Sequence, residues 1–228
     1  MSCNEINTAA LVVFEYYTYM NTEQGYLLVV EDDPDIRRLL DTTLTIKGYR
    51  VVTAVNGRDG LNAIEKERPA IVITDIMMPK LDGFGLVHRL RINPETRDIP
   101  VVFITATYVT PDDVKFALRI GATRFIQKPV DLPAFLATID DLLIRGAPAG
   151  LEPLREFGFY NEYRKRLEIK LEQKNKQIAR DEYLLGAFPQ EKDQSFRAAV
   201  FQSIHERDEL KLLLEQIYQE LEKFIVRK

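Results

Sequence analysis

The sequence predicts a doubly wound α/β domain followed by a helical region, and three observations carry that prediction. From residue 26, five short apolar, β-branched runs alternate with amphipathic stretches. Runs that are apolar throughout suggest strands buried on both faces, as in a parallel sheet. After residue 146 the composition shifts to Glu, Lys, Gln and Leu, with 15 Lys and Arg against 15 Asp and Glu over residues 151–228. That mixture favours helix.

The five runs are "YLLVV" (26–30), "YRVVTAV" (49–55), "AIVITDI" (70–76), "PVVFITA" (100–106) and "RFIQ" (124–127). Helical spacing falls between them at 35–47, 57–67, 83–92 and 111–120, with a fifth helix at 132–144. Strands alternating with helices argue for βαβ units around a parallel sheet. Turn residues agree: Lys47-Gly48 closes the first helix, Asn56-Gly57 opens the second and Gly121 ends the fourth. This domain spans 26–146. Residues 1–25 precede it as an N-terminal extension of unassigned role, and "GAPAGLEP" supplies a linker at 147–152.

Residues 153–228 are expected to form two helices, near 153–185 and 190–226, with Gly186 as the stop of the first and Pro189 just beyond. The second carries Phe196, Val200, Ser203, Arg207, Leu210, Leu214, Ile217, Leu221 and Phe224 at alternating steps of four and three, a heptad seam. The first carries Leu167, Leu171, Ile178 and Leu185 in similar register, interrupted by Lys174 and Asp181. An intramolecular hairpin and an intermolecular coiled coil both satisfy this pattern.

Composition excludes several classes. The 228 residues are 46% hydrophobic and 29% charged, with net charge −4. That describes a globular protein without general attraction to nucleic acid. The single cysteine, Cys3, forms no internal disulfide, and a reducing cytoplasm fits. No apolar run approaches the roughly 18 residues of a membrane span. The apolar "ALVVFEYYTYM" lacks a basic n-region and carries Glu15, so it is not read as a signal peptide. Met20 is a candidate natural start, which would make residues 1–19 an upstream extension.

In doubly wound sheets, function gathers at the C-terminal ends of the strands. Strand 1 ends on Glu31, Asp32 and Asp33. Strand 3 ends on Asp75, strand 4 on Thr105-Ala106, and strand 5 leads into Lys128-Pro129. Adjacent acids make sense when a hard divalent cation such as Mg²⁺, which takes oxygen ligands, lies between them. Glu31, Asp32 and Asp75 could supply part of such a shell. Asp75 could then act as a nucleophile toward a phosphoryl group, whose equatorial oxygens would meet Lys128 and Thr105.

Together, "LLVVEDDPDIR", "IVITDIMMPKLDGFGLV", "VVFITA" and "GATRFIQKP" resemble the receiver domain of the response regulators of bacterial two-component systems, over about residues 26–146. The helical tail belongs to no family identified in this way. The resemblance implies a flavodoxin-like five-stranded parallel sheet of order 2-1-3-4-5. It implies Glu31 and Asp32 as metal-binding acids, Asp75 as phosphoacceptor, the backbone carbonyl of Met77 as a further Mg²⁺ ligand, Thr105 as switch hydroxyl and Lys128 as phosphate-contacting lysine. Pro129 falls where the family commonly has a cis peptide, and Phe125 where it has a rotating aromatic. It further implies a histidine kinase or phosphotransfer protein as donor, and output through helix 4, strand 5 and helix 5.

Plainer readings stand beside these. Asp33 before Pro34 reads as a helix N-cap rather than a ligand. Glu31 and Asp32 alone could form a solvated turn, Thr105 could be an ordinary strand residue, and Phe125 could be core. His205, in "FQSIHERDEL", is faintly similar to a kinase phosphoacceptor box, but the following residues do not match and it reads as a surface histidine. The charge-balanced tail suggests homodimerisation or partner docking rather than DNA binding. One alternative is an adaptor whose assembly the receiver regulates. Another is an aspartyl phosphatase or phosphotransferase, but that chemistry needs a second acid two residues beyond the nucleophile, where Met77 stands. The protein is therefore expected to be a switch, not an enzyme.

Overall fold

The computed structural model describes residues 25–105, 111–146, 154–187 and 194–226. Five strands and five helices alternate in the first unit: β1 (Leu27–Val30), α1 (Pro34–Ile46), β2 (Val51–Ala54), α2 (Gly57–Lys66), β3 (Ile71–Thr74), α3 (Gly83–Ile92), β4 (Val101–Thr105), α4 (Pro111–Arg119), β5 (Arg124–Gln127) and α5 (Leu132–Arg145). All strand pairs are parallel, in the order β2-β1-β3-β4-β5. This is the expected doubly wound topology. The register sets Val30 beside Ala54 and Thr74, and Thr74 beside Phe103, so the strand ends converge on one edge.

The uniformly apolar runs mark burial on both faces for β1, β3 and β4, which are buried along their whole length. The expectation does not extend to β2 and β5. These are the sheet edges and are only partly covered, because an edge strand has a neighbour on one side only. One face of the sheet packs Leu27, Val29, Ile71, Ile73, Val102 and Ile104 against Leu40 and Leu44 of α1 and Phe135, Ile139 and Leu142 of α5. On the other face Phe84 of α3 meets Phe103 and Phe116 edge-on, at centroid distances of 5.3 and 5.1 Å.

Local signals behave as the turn chemistry requires. Gly48 and Gly121 take φ values of +89° and +100°, the left-handed region open to glycine. Asn56 caps α2 through the Asp59 N–H. Asp33 caps α1, its Oδ1 accepting from the N–H groups of Asp35 and Ile36 at 2.9 and 3.0 Å, with Pro34 in the first turn. Asp33→Ala should cost about 1 kcal/mol of stability while leaving Mg²⁺ affinity unchanged. Chemical denaturation and calorimetric titration measure the two separately.

The second compact unit begins at Leu154 and contains α6 (Glu156–Ala187) and α7 (Gln194–Val226). The helices pack antiparallel within the chain: Phe157 meets Phe224, Glu168 accepts from the Tyr218 hydroxyl, and Lys174 pairs with Glu206. The predicted seam is the contact face, with Val200, Ser203, Leu210, Leu214 and Ile217 of α7 buried, as are Leu167 and Ile178 of α6. Gly186 does not stop α6, which continues to Ala187. A glycine inside a helix costs about 1 kcal/mol, too small a preference to fix the helix end to the residue. Residues 1–24, with the proposed start at Met20, lie outside the described residues, as do Ala106, the linker at 147–152 and Pro189.

Candidate functional site

Three of the strand ends meet. Ligand oxygens of Glu31, Asp32 and Asp75 all lie within 4.8 Å of one another. Glu31 and Asp75 are buried, whereas Asp32 faces solvent. Parallel pairing of β1 and β3 makes this possible, because the Asp75 N–H donates to Val30 O at 2.9 Å and fixes both ends at one height. Lys128, directly after β5, donates to Glu31 Oε2 at 2.8 Å and stands 3.8 Å from Asp75 Oδ1. The Lys128 N–H is held by Thr105 O at 2.7 Å, and the Thr105 side chain is buried. The Lys128-Pro129 peptide is cis, as expected.

The electrostatics are those of crowded acids in a poorly solvated place. Burial pushes the Glu31 carboxyl up to about 7, with Asp75 and Asp32 adding to the effect and the Lys128 hydrogen bond opposing it. Burial likewise raises Asp75 to about 6, against the pull of Lys128, the Ile76 N–H and the Thr105 hydroxyl. Asp75 Oδ1 is buried without a hydrogen-bond partner. A carboxylate oxygen left in that condition, beside two further acids, fits a hard cation such as Mg²⁺.

These values fix a sign. Both folded values lie above the ordinary 3.8 and 4.5, so these two groups favour the folded state when protonated. Their contribution is fully present below about pH 4 and lost as pH rises through about 6 and 7. Without metal, the melting temperature should fall between about pH 5 and about pH 8 more steeply than in Asp75→Asn, and Mg²⁺ should reverse the fall. Apparent Mg²⁺ affinity should rise about tenfold between pH 6 and 8, which calorimetric titration at the two pH values measures.

Phe125 on β5 is half-buried, its ring 6.2 Å from that of Phe103 and tilted by 57°. It thus sits beside the strand that ends on Thr105. Met77 follows Asp75 by two residues in the loop to α3, its side chain partly exposed. His205 belongs to the helical unit, exposed on α7 with Nε2 3.6 Å from Glu209.

Three residues within the quoted motifs support the site in ways that only the folded backbone defines. Arg37, one turn into α1, donates to the carbonyls of Glu31 and Asp32 at 2.7 and 3.0 Å and straps the acidic loop to the helix. Thr74 donates its hydroxyl to the Asp75 carbonyl at 2.8 Å. Gly83 leaves room for that same carbonyl, since a Cβ at residue 83 would lie 2.1 Å from it.

Residues 27–140 match the family model of the response regulator receiver domain. The chain belongs to that family. Its receiver domain is 40% identical over 126 residues to the "Probable transcriptional regulator ycf27" of Pyropia yezoensis, covering 55% of this chain and 50% of that protein. It is 39% identical over 138 residues to the "Transcriptional regulatory protein GlrR" of Escherichia coli K12, covering 60% of this chain and 30% of that one. The chain therefore spans half or less of these curated relatives. Among solved structures, the signal receiver domain of a signal transduction histidine kinase from Syntrophus aciditrophicus is 31% identical at a TM-score of 0.50, with 55% of this chain and 96% of that chain covered. Receiver domains bind Mg²⁺ at an acidic pocket, and this chain carries an acidic cluster of Glu31, Asp32 and Asp75. No described helix is long and apolar enough to cross a membrane.

Proposed function

We propose that this protein is a phosphorylation-activated signalling switch in which Asp75 accepts a phosphoryl group from the phosphohistidine of a histidine kinase or phosphotransfer protein. The observation that carries this reading is Asp75 Oδ1, buried without a hydrogen-bond partner, 3.8 Å from Lys128 and within a cluster of three carboxylates. A carboxylate oxygen of Asp75 attacks phosphorus, the P–N bond breaks and the imidazole nitrogen leaves with the electron pair. Glu31, Asp32 and Asp75, with the backbone carbonyl of Met77, are the residues that would hold Mg²⁺, which when bound screens the phosphoryl charge from the acids. Lys128 pairs with the new acyl phosphate, and the Thr105 hydroxyl turns toward it.

The phosphoryl group can bias the fold only by its differential interaction with two states. Thr105 moving inward would open space for Phe125, altering the surface of α4, β5 and α5. Output follows through this surface and the C-terminal helices, by homodimerisation or by docking a protein partner rather than by binding DNA. The balanced charge of the tail supports that choice. A cytoplasmic location and a role without separate catalytic output complete the reading.

The test is intact mass after incubation with Mg²⁺ and a small acyl-phosphate or phosphoramidate donor, followed by peptide mapping. A gain of one phosphoryl group on Asp75 is expected. No gain, or a gain mapped elsewhere, overturns the proposal.

A further inference from the structure

The helical tail carries charges where a simple coiled coil would carry leucine. In α6 the alternating steps of four and three that include Leu167, Leu171, Ile178 and Leu185 also pass through Lys174 and Asp181. Their side chains are only 11% and 15% exposed. In α7 the seam passes through Ser203, which is buried, and Arg207, whose side chain is 25% exposed. Antiparallel pairing brings these positions to one end of the hairpin. Lys174 reaches Glu206 at 2.8 Å, and by the same register Asp181 stands level with the turn of α7 that holds Val200 and Ser203. The other end is apolar and aromatic: Phe157 and Tyr160 against Phe224, with Leu210, Leu214 and Ile217 along the seam.

We infer that this polar level specifies the partner of each tail helix, so that α6 and α7 pair with each other inside one chain and not with their counterparts in a second copy. In a parallel, in-register pair of α6 helices, Lys174 would meet Lys174 and Asp181 would meet Asp181. In the same pairing of α7, Arg207 would meet Arg207. Like charges in a desolvated seam repel, whereas the antiparallel hairpin sets Lys174 against Glu206. A polar residue at a seam position fixes register and association state at a cost in stability. The apolar end supplies adhesion that either arrangement could use, and the polar end makes the choice. This inference concerns the tail alone and is independent of phosphorylation at Asp75, and a homodimer formed through the tail would join whole hairpins rather than separate helices.

The test uses the full chain. Lys174→Glu and Glu206→Lys should each lower the helical melting temperature, and the double variant should recover it. Mixing the two single variants, with unfolding and refolding together, should not. Recovery in the mixture would mean that the pair forms between chains, and would overturn the inference. Lys174→Leu with Arg207→Leu keeps the seam foldable and should raise the melting temperature by about 4 °C. Sedimentation should then show additional associated species. A double-leucine variant that melts lower, or that keeps the association state of the natural sequence, would show that the polar level does not choose the partner.

Discussion

Asp75→Asn should fold, and should gain no phosphoryl group from a small donor under conditions expected to label the natural protein. The amide oxygen of Asn has no charge to direct at phosphorus, so labelling should fall at least about 10³-fold, to the background of other carboxylates. Intact mass and peptide mapping measure this directly. A second consequence distinguishes loss of the nucleophile from loss of the fold. Asp75 is buried beside two acids, and its carboxyl is already raised to about 6. The neutral isostere removes a charge that the metal-free protein holds at a cost. At pH 8 without metal, Asp75→Asn should therefore melt higher than the natural sequence, and Mg²⁺ should stabilise it less. Lys128 keeps its 2.8 Å pair with Glu31 in that variant, so the remainder of the site has no reason to rearrange. Labelling that persists in Asp75→Asn, mapped to Glu31 or Asp32, would move the nucleophile to another carboxylate.

Gly83→Ala should damage both fold and site. The added Cβ would lie 2.1 Å from the Asp75 carbonyl oxygen and 2.9 Å from the Phe103 ring. Neither can move cheaply. The Asp75 carbonyl accepts from Thr74 Oγ1, and the Asp75 N–H is spent on Val30. Phe103 is fully buried and packs edge-on against Phe84. The backbone after β3 must shift, at a cost of about 3 kcal/mol. The same shift displaces the Asp75 carboxylate, and a misplacement near 1 Å costs about 10²-fold in rate. Urea denaturation and the labelling rate read the two effects. Gly85→Ala, two residues along the same helix, is the control. Its Cβ would approach the Leu81 Cδ1 at 2.7 Å, the end of a side chain that can rotate, so its cost should be much smaller. Equal damage from both substitutions would mean that the helix turn, rather than the close approach to Asp75, makes glycine necessary.

Much of this was legible before any coordinates. Uniformly apolar runs separated by helical spacing predict parallel strands, and reading only the C-terminal ends of those runs yields Glu31, Asp32, Asp75, Thr105 and Lys128 as one group. Asp33 before Pro34 reads as a cap, and it caps. The order 2-1-3-4-5 that the resemblance implies puts β2 and β5 at the sheet edges, where the structure has them, and their lesser burial agrees with the polar residues in their runs. Read from the sequence, α6 ends near residue 185 rather than at Ala187, because a glycine preference of about 1 kcal/mol does not fix a helix boundary to the residue. The roles of Arg37 and Gly83 are not legible in this way, because they depend on how the loops after β1 and β3 fold back on the helices that follow.

In the tail, the seven-residue period states that α6 and α7 have something to pair with, and it states no partner. The sequence by itself determined what each segment is, because side-chain periodicity, caps and turn residues act over a few neighbouring residues. Tertiary structure decided what each charged group faces. Lys128 finds Glu31 across 97 positions, and Lys174 finds Glu206 across 32. Those meetings depend on the strand order and on the direction of the hairpin, which no local pattern encodes.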